Sequence, residues 1–174
     1  MGRSDERGGA AVGLPETGAG LFGWREWVGL PALGLPLIKA KVDTGARTST
    51  LHAFYVEVFR RGGQDLVRFG VHPLRGRTGV EVHCVAPLLD RRVVSDSGGH
   101  REPRYVIRTP LEVAGRVWPI EVTLTNREDM LFRMLLGRTA IAGRGIVDPA
   151  LSFVAGRRRN PASAYRGPRP RAPG

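Results

Sequence analysis

The sequence predicts a small all-β protein, a closed barrel that contains one short helix. Its apolar residues alternate with polar residues over short segments, which is the period of a half-buried strand. The chain contains 24 glycines and 13 prolines, which separate these segments with turns. Many short strands with abundant turn residues are typical of small barrels. A chain of 174 residues with 41% hydrophobic residues is long enough for one core.

The predicted domain covers residues 21–156, and we expect disorder on both sides of it. Residues 1–20 are rich in glycine, alanine and charged residues and show no periodicity. Residues 157–174 contain six arginines, several prolines and no acidic residue. Neither segment has a regular apolar pattern that could pack on a core.

The net charge of +11 indicates a basic protein that suits an acidic partner. Cys84 is the only cysteine, so an intrachain disulfide is impossible and a reducing compartment is expected. The sequence has no apolar run long enough to cross a membrane and no signal-peptide pattern. We therefore expect a cytoplasmic protein without a membrane partner.

The first half of the chain alternates strands with glycine and proline turns. Strands are expected at residues 21–28, 37–42, 52–59, 65–72 and 80–85. Residues 29–36 contain Pro31, Gly34 and Pro36 and predict a turn. Residues 60–64 predict a hairpin turn.

The second half predicts two further hairpins and the helix. Residues 91–104 form a long hairpin whose tip is mobile, because glycines interrupt it at 98 and 99. Residues 110–124 form a hairpin that turns at Ala114 and Gly115. The apolar run 130–136 leads to a helical turn at 139–142, and the segments 145–149 and 151–154 close the pattern.

The strand at 37–42 ends in an acid loop that suits catalysis. Asp43 supplies reactive oxygens, the Thr44 hydroxyl can lock the loop, and Gly45 permits a sharp turn beside substrate. The alternative is that Asp43 caps a helical turn at 46–51. Asp-Thr-Gly recurs by chance, but its setting and the apolar pair before Gly137 favour the catalytic interpretation.

These parts resemble a known family in their order. An apolar strand into Asp-Thr-Gly-Ala, a glycine-bearing hairpin, and an apolar pair followed by Gly-Arg and a short helix resemble retropepsin-like aspartic proteases. More closely, the chain resembles a bacterial retropepsin-like family named ATP-dependent zinc proteases, which includes the RimB proteins associated with the glutamate ligase RimK. The segments that carry this resemblance are 23–27, 39–48, 97–102, 118–127, 133–138 and 147–149.

The resemblance implies a retropepsin-like (acid protease) barrel and a cytoplasmic peptidase. For the RimK-associated branch it implies removal of glutamates from the C-terminus of a ribosomal protein, and endo- versus exo-cleavage stays open. Aspartic peptidases hold a water between two carboxyl groups that share one proton. This chain offers one such acid, so we expect a homodimer that pairs two copies of Asp43. The resemblance also implies that Thr44 donates its hydroxyl across the dimer axis.

The predicted hairpin tip contains a rival acid and the candidate substrate contacts. Asp96 begins an Asp-Ser-Gly run, but no second apolar pair with glycine follows it at a matching distance. We interpret the tip as a flap in which Gly98 and Gly99 give freedom. His100 and Arg101 meet an acidic substrate tail or belong to a solvated loop.

Two more arginines are candidates for substrate binding. Arg47 and Arg138 either contact substrate carboxylates or pair with acids near the site.

No metal or cofactor is predicted. The sequence contains neither a phosphate-binding glycine loop for ATP nor a His-Glu-x-x-His zinc pattern. His83 and Cys84 are adjacent in a strand, so their side chains point to opposite faces. Two alternatives remain: a zinc-dependent protease, and a non-catalytic ribosome- or RNA-binding module that uses the arginine tail. Nucleic acid is otherwise not expected, because no RNA-recognition pattern is present.

Overall fold

A computed structural model describes residues 20–127 and 130–166 of the chain. The strands of the first half are β1 Gly20–Gly23, β2 Arg25–Leu30, β3 Leu35–Asp43, β4 Ser49–His52, β5 Tyr55–Arg61 and β6 Gln64–Val71. Those of the second half are β7 Val82–Pro87, β8 Asp90–Ser95, β9 Arg101–Val113, β10 Arg116–Thr125, β11 Met134–Gly137 and β12 Gly145–Asp148. The helices are α1 Arg138–Ile141 and two 3-10 helices, Pro31–Leu33 and Pro161–Tyr165.

The main sheet is seven-stranded and closes on itself. Its order is β10-β4-β11-β3-β2-β9-β8, and β9 also pairs with β10. Six strands therefore form a closed circuit of hydrogen-bonded neighbours. Strand β9 closes the circuit because it pairs with β10 along residues 106–113 and with β2 at Glu112. Its first half pairs with β8, which lies outside the circuit. The predicted all-β class with one short helix is confirmed. No helix in the described part of the chain is long and apolar enough to cross a membrane.

One apolar core lies inside the circuit and extends to a second sheet. Ile38 and Ala40 of β3 and Leu136 of β11 are fully buried. The antiparallel sheet β5-β6-β7 adds Val67 and Phe69 to the same cluster. Burial of each large side chain stabilises the fold by about 1.5–3 kcal/mol. The alternation predicted for residues 37–42 is confirmed, since its even-numbered residues face the core.

The predicted first strand is divided in two at Trp24. The backbone N–H of Trp24 donates to the carbonyl of Leu151 at 2.9 Å instead of joining a ladder. Strand β1 pairs in parallel with β12, whereas β2 pairs with β3. Residues 151–154 therefore lie outside the strands but are tied to this junction.

Glu26 reinforces that junction with a fully buried carboxylate. Its Oε1 accepts hydrogen bonds from the N–H groups of Gly23 at 2.7 Å and Val154 at 2.9 Å. Its Oε2 accepts one from Ala155 at 3.1 Å. Charge-assisted hydrogen bonds of this kind are stronger than neutral ones, so Glu26 fastens residues 154–155 to β1 and β2.

The C-terminal boundary differs from the predicted one. Residues 157–166, which we expected to be disordered, include the 3-10 helix Pro161–Tyr165. The Tyr165 hydroxyl donates to the carbonyl of Leu37, and Ala162 is buried. The chain is therefore packed on β3 as far as Tyr165. The remaining residues of both predicted disordered ends, 1–19 and 167–174, lie outside the described residues.

Gly137 fixes how the acid loop sits on the sheet. Strands β3 and β11 are parallel, with Gly137 opposite Asp43. A Cβ on Gly137 would lie 2.5 Å from the carbonyl carbon of Thr48 and 2.8 Å from the carbonyl oxygen of Arg47. Backbone at that distance cannot yield to a side chain, so only glycine permits this approach.

We expect Gly137→Ala to unfold more easily than the wild type. The added methyl group must push the backbone of residues 47–48 away, which should lower the free energy of unfolding by about 2 kcal/mol or more. Gly79→Ala is the matched control, because no atom lies within 4 Å of its Cβ position and its φ is not positive. Chemical denaturation of both variants measures the difference, and equal stability of the two would contradict this packing.

Candidate active site

The Asp43 carboxylate is held by its own loop. Its Oδ1 accepts hydrogen bonds from the N–H groups of Gly45 at 3.1 Å and Ala46 at 3.2 Å. Among the described residues, none donates a hydrogen bond to Oδ2. The carboxylate is therefore oriented through one oxygen, and the other remains available to a water or a substrate.

The start of α1 clamps the same loop from behind. The N–H of Arg138 donates to the carbonyl of Ala46 at 2.8 Å. The Thr139 N–H and hydroxyl both donate to the carbonyl of Arg47, at 3.1 and 2.8 Å. In addition, the Gly137 N–H donates to the Ser49 hydroxyl at 3.1 Å. These bonds satisfy the carbonyl groups of Ala46 and Arg47 and hold the loop rigidly against α1.

The structure replaces the alternative helical turn at 46–51 with a strand. Ser49, Thr50 and Leu51 are buried in β4, which pairs in parallel with β10 and antiparallel with β11. Asp43 thus does not cap a helix here. Its hydrogen bonds hold a tight turn between two strands.

Thr44, Gly45 and Arg47 lie on the exposed side of this turn. Arg138 is also exposed, and its Nη1 donates to the carbonyl of Gly45 at 3.3 Å. Of these four residues, Gly45 and Arg47 line the cleft beside Asp43, whereas Arg138 supports the loop from outside it.

A cleft of about 1070 Å³, here called the Asp43 cleft, opens beside the acid. The loop from Asp43 to Thr48 forms one wall, and residues 92–97 of β8 and its turn form the other. Its volume is at the upper end of the range for sites that bind small ligands. The hairpin of β8 and β9 therefore lies where a flap is expected, across the cleft from Asp43.

Asp96 structures the tip of that hairpin. Its Oδ1 accepts hydrogen bonds from the N–H groups of Gly98 and His100, both at 2.9 Å. Arg127 donates to Oδ2 at 3.4 Å. The bond from His100, with help from Gly98 and the Arg127 charge, lowers the pKa of Asp96. Asp96 is thus an ionised turn residue that lines the cleft. Like Asp43 it accepts a hydrogen bond from the glycine two residues on, but its Oδ2 is bound by Arg127.

The other predicted tip residues do not line this cleft. Gly98, Gly99, His100 and Arg101 are exposed at the end of the hairpin, and Gly99 has a φ of +80°. The structure brings Asp43, Gly45 and Arg47 together but leaves these four residues beyond the walls of the Asp43 cleft.

Sequence reasoning missed a polar network that lines the Asp43 cleft through Thr50, Arg104 and Thr125. Arg104 is only 8% exposed, and it donates to Glu102 at 2.5 Å and to the Thr50 hydroxyl at 3.4 Å. Thr125 also donates to Glu102, at 3.1 Å. Burial alone raises the pKa of Glu102, but the hydrogen bond and charge of Arg104 outweigh it and the pKa is lowered. One signal in the sequence could have predicted this pair. Alternate residues of a strand lie on one face, so residues 102 and 104 of β9 lie side by side.

The residues available for a metal do not form a zinc site. His72 and His83 approach Glu81 at 3.9 and 3.6 Å, but no described group of three or more His, Cys, Asp or Glu side chains could hold an ion. Cys84 lies buried on the other face of β7 from His83. Burial raises the pKa of its thiol to about 12, so it stays protonated and unreactive at neutral pH.

Comparison with known proteins identifies relatives across most of the domain. The profile of the RimB-like family, described as retropepsin-like aspartic endopeptidase RimB, matches residues 21–158. A probable alpha-L-glutamate ligase from Desulfotalea psychrophila is 49% identical over 136 residues, which are 78% of this chain and 29% of that protein. A protein of the same name from Parasynechococcus marenigrum is 50% identical over 129 residues, 74% of this chain and 28% of that protein.

A solved structure shares the fold. It is the crystal structure of a Legionella pneumophila protein of unknown function (DUF785), with a TM-score of 0.65 and 29% sequence identity. The match covers 78% of this chain and 97% of that one. The chain spans less than a third of the length of the ligases it matches. Since the family profile covers most of the sequence, the chain belongs to the RimB-like family of retropepsin-like aspartic endopeptidases.

Proposed function

We propose that this protein is an aspartic peptidase that acts as a homodimer on an acidic, glutamate-bearing protein tail in the cytoplasm. The observation that carries the proposal is the Asp43 loop. It presents one fixed carboxylate to a wide cleft that faces a hairpin. That arrangement is half of what aspartic peptidase chemistry requires.

A second protomer supplies the other half. The other acids of the Asp43 cleft, Asp96 and Glu121, are bound by Arg127 and Arg92, so neither is free to share a proton with Asp43. Thr44 and Gly45 are exposed on the outer side of the turn. A two-fold axis beside this turn would bring both Asp43 carboxyl groups together and let each Thr44 hydroxyl bond the opposite loop.

The dyad then hydrolyses the peptide bond with one shared proton. The ionised Asp43 takes a proton from the water, whose oxygen bonds to the carbonyl carbon. The protonated Asp43 of the second protomer gives its proton to the carbonyl oxygen. When the tetrahedral intermediate collapses, the C–N bond breaks and the leaving nitrogen takes the proton from the first Asp43. A hydroxyl group of the intermediate gives its proton to the second Asp43 as the product carboxyl group forms. The dyad finishes with one proton, as it began.

The substrate proposal rests on charge and on the relatives. The chain carries a net charge of +11, which attracts an anionic polypeptide. Relatives that are about half identical are named alpha-L-glutamate ligases, which join glutamate residues to an acceptor. A peptidase of this family would remove such residues, and the C-terminal tail of a ribosomal protein is the acceptor that we propose.

Asp43→Asn should abolish cleavage of a glutamate-extended peptide, by at least about a thousandfold, because a neutral amide cannot take the proton of the water. Asp96→Asn is the matched control. Its side-chain oxygen can still accept the bonds from Gly98 and His100, so activity should stay within about threefold of wild type. Mass spectrometry of the products measures both, and cleavage by Asp43→Asn would refute the mechanism.

Subunit mixing tests the dimer. When wild-type and Asp43→Asn protomers exchange freely at equal amounts, only about one quarter of the dimers carry two aspartates. Activity should therefore fall to about one quarter of the value for the same total protein. A site that works within one chain would instead retain about one half.

A strong metal chelator should leave cleavage unchanged, because the proposed dyad contains no ion. His83→Ala removes one histidine of the pair that approaches Glu81 and should also retain activity. Loss of activity on chelation, restored by added zinc, would favour a zinc-dependent protease instead.

A further inference from the structure

A second cleft of about 710 Å³ lies next to the Asp43 cleft. Met130 and Leu135 line both cavities, so the two lie side by side. We call the second one the basic cleft. Its walls are formed by Trp24, by Trp27 of β2, by residues 73–75 and Arg77 after β6, and by residues 130–133.

The charge of the basic cleft is of one sign. Seven cationic side chains line it: Arg25, Lys39, Lys41, Arg75, Arg77, Arg133 and Arg158. None of its described lining residues is acidic. The Asp43 cleft is different, because Asp96 and Glu121 there pair with arginines. A concave surface with many cations of this kind concentrates an anionic ligand.

Two of these arginines each have one buried nitrogen without an acceptor among the described residues. Nε of Arg25 and Nε of Arg133 are buried, and neither forms a hydrogen bond within the described part of the chain. A buried charged donor without an acceptor costs stability. Both side chains nevertheless line the cleft and are half-buried, so a ligand with anionic oxygens would meet their other guanidinium nitrogens.

The aromatic residues of the cleft argue for carboxylates over nucleic-acid bases. The Arg25 guanidinium covers the Trp24 ring at 4.5 Å, and the Lys39 ammonium lies 5.2 Å from the centre of the Trp27 ring. Phe153 stacks on Trp27. Single-stranded nucleic acid is held by stacking its bases on open rings. Here Arg25, Lys39 and Phe153 already contact the tryptophan rings, so the cleft would recognise a ligand by its charge.

The cations follow β3 towards Asp43. Lys39, Lys41 and Asp43 alternate with the buried Ala40 and Val42, so they share one face of the strand. From residue 39 to residue 43 the strand advances about 13 Å, which is the length of about four residues of extended peptide. A peptide bound at Asp43 could therefore place successive side chains along the basic cleft.

We propose that the basic cleft binds an acidic segment of the peptide substrate, a run of carboxylate side chains next to the bond that is cleaved. This inference rests on the proposed peptidase function and names the part of the chain that selects acidic substrates. Arg25 and Arg133 donate hydrogen bonds to the deepest carboxylates, and Arg75 and Arg77 hold the segment at the exposed rim.

The test compares two pairs of exposed arginines in the full chain. Arg75→Gln/Arg77→Gln removes two charges from the rim of the basic cleft, and Arg60→Gln/Arg61→Gln removes two from the β5–β6 turn, outside both clefts. Both pairs are introduced into Asp43→Asn protein, so that binding is measured without cleavage. The probe is a fluorescent peptide that ends in about six glutamates, enough to span the cleft.

The rim variant should bind this peptide about tenfold more weakly, whereas the control keeps wild-type affinity. A glutamine-ended peptide should bind weakly and equally to all three proteins. Equal loss in both arginine variants would mean general charge attraction and would overturn the proposal, as would no loss in the rim variant. Loss of affinity for a single-stranded RNA of equal charge, with peptide binding intact, would assign the cleft to nucleic acid instead.

Cleavage by proteins that retain Asp43 separates this inference from the proposed function. The rim variant should raise KM for the glutamate-ended peptide and leave kcat unchanged. If wild-type protein binds the peptide in the basic cleft but never cleaves it, the peptidase proposal fails. If cleavage is normal and KM of the rim variant equals that of the control, the basic cleft proposal fails alone.

Discussion

The close packing of backbone on backbone at Gly137 is the constraint on which the site depends. It allows β11 to run beside both β3 and β4, so the strand that ends in Asp43 and the strand that follows its turn share one neighbour. The amides of α1 then reach the loop carbonyls directly. Rigidity at Asp43 therefore comes from main-chain geometry, and the exposed side of the turn is free to meet another surface.

The two clefts differ in how their charged side chains are paired. Around Asp43 the charges are neutralised within the protein, as in the pairs of Arg92 with Glu121 and Arg104 with Glu102. Paired charges of this kind form part of the cleft wall and attract a charged ligand only weakly. In the basic cleft the arginines and lysines face no described acid. In the proposed peptidase, charge selection and bond cleavage would thus take place at different points along β3, with Asp43 at the end of the strand.

The sequence predicts the local features and misses the long-range ones. The hairpin at residues 114–115, the alternation of β3 and the turn at α1 follow from neighbouring residues, and the structure has all three. Strand β4 is short and rich in Ser and Thr, and its partners β10 and β11 are far along the chain. The basic cleft was also missed, because its cations come from distant segments and Trp24 and Trp27 suggest packing alone.

The tip of the β8–β9 hairpin satisfies its own backbone through Asp96, which binds the N–H groups of Gly98 and His100. A tip built in this way would keep these hydrogen bonds if the hairpin bent, because the donors and acceptors both lie within residues 96–100. The energetic cost of lifting it lies in side-chain contacts such as Arg127 with Asp96. If the hairpin is the flap of the proposed peptidase, lifting it would let a long peptide tail enter the Asp43 cleft from the side, without threading its end through a closed opening.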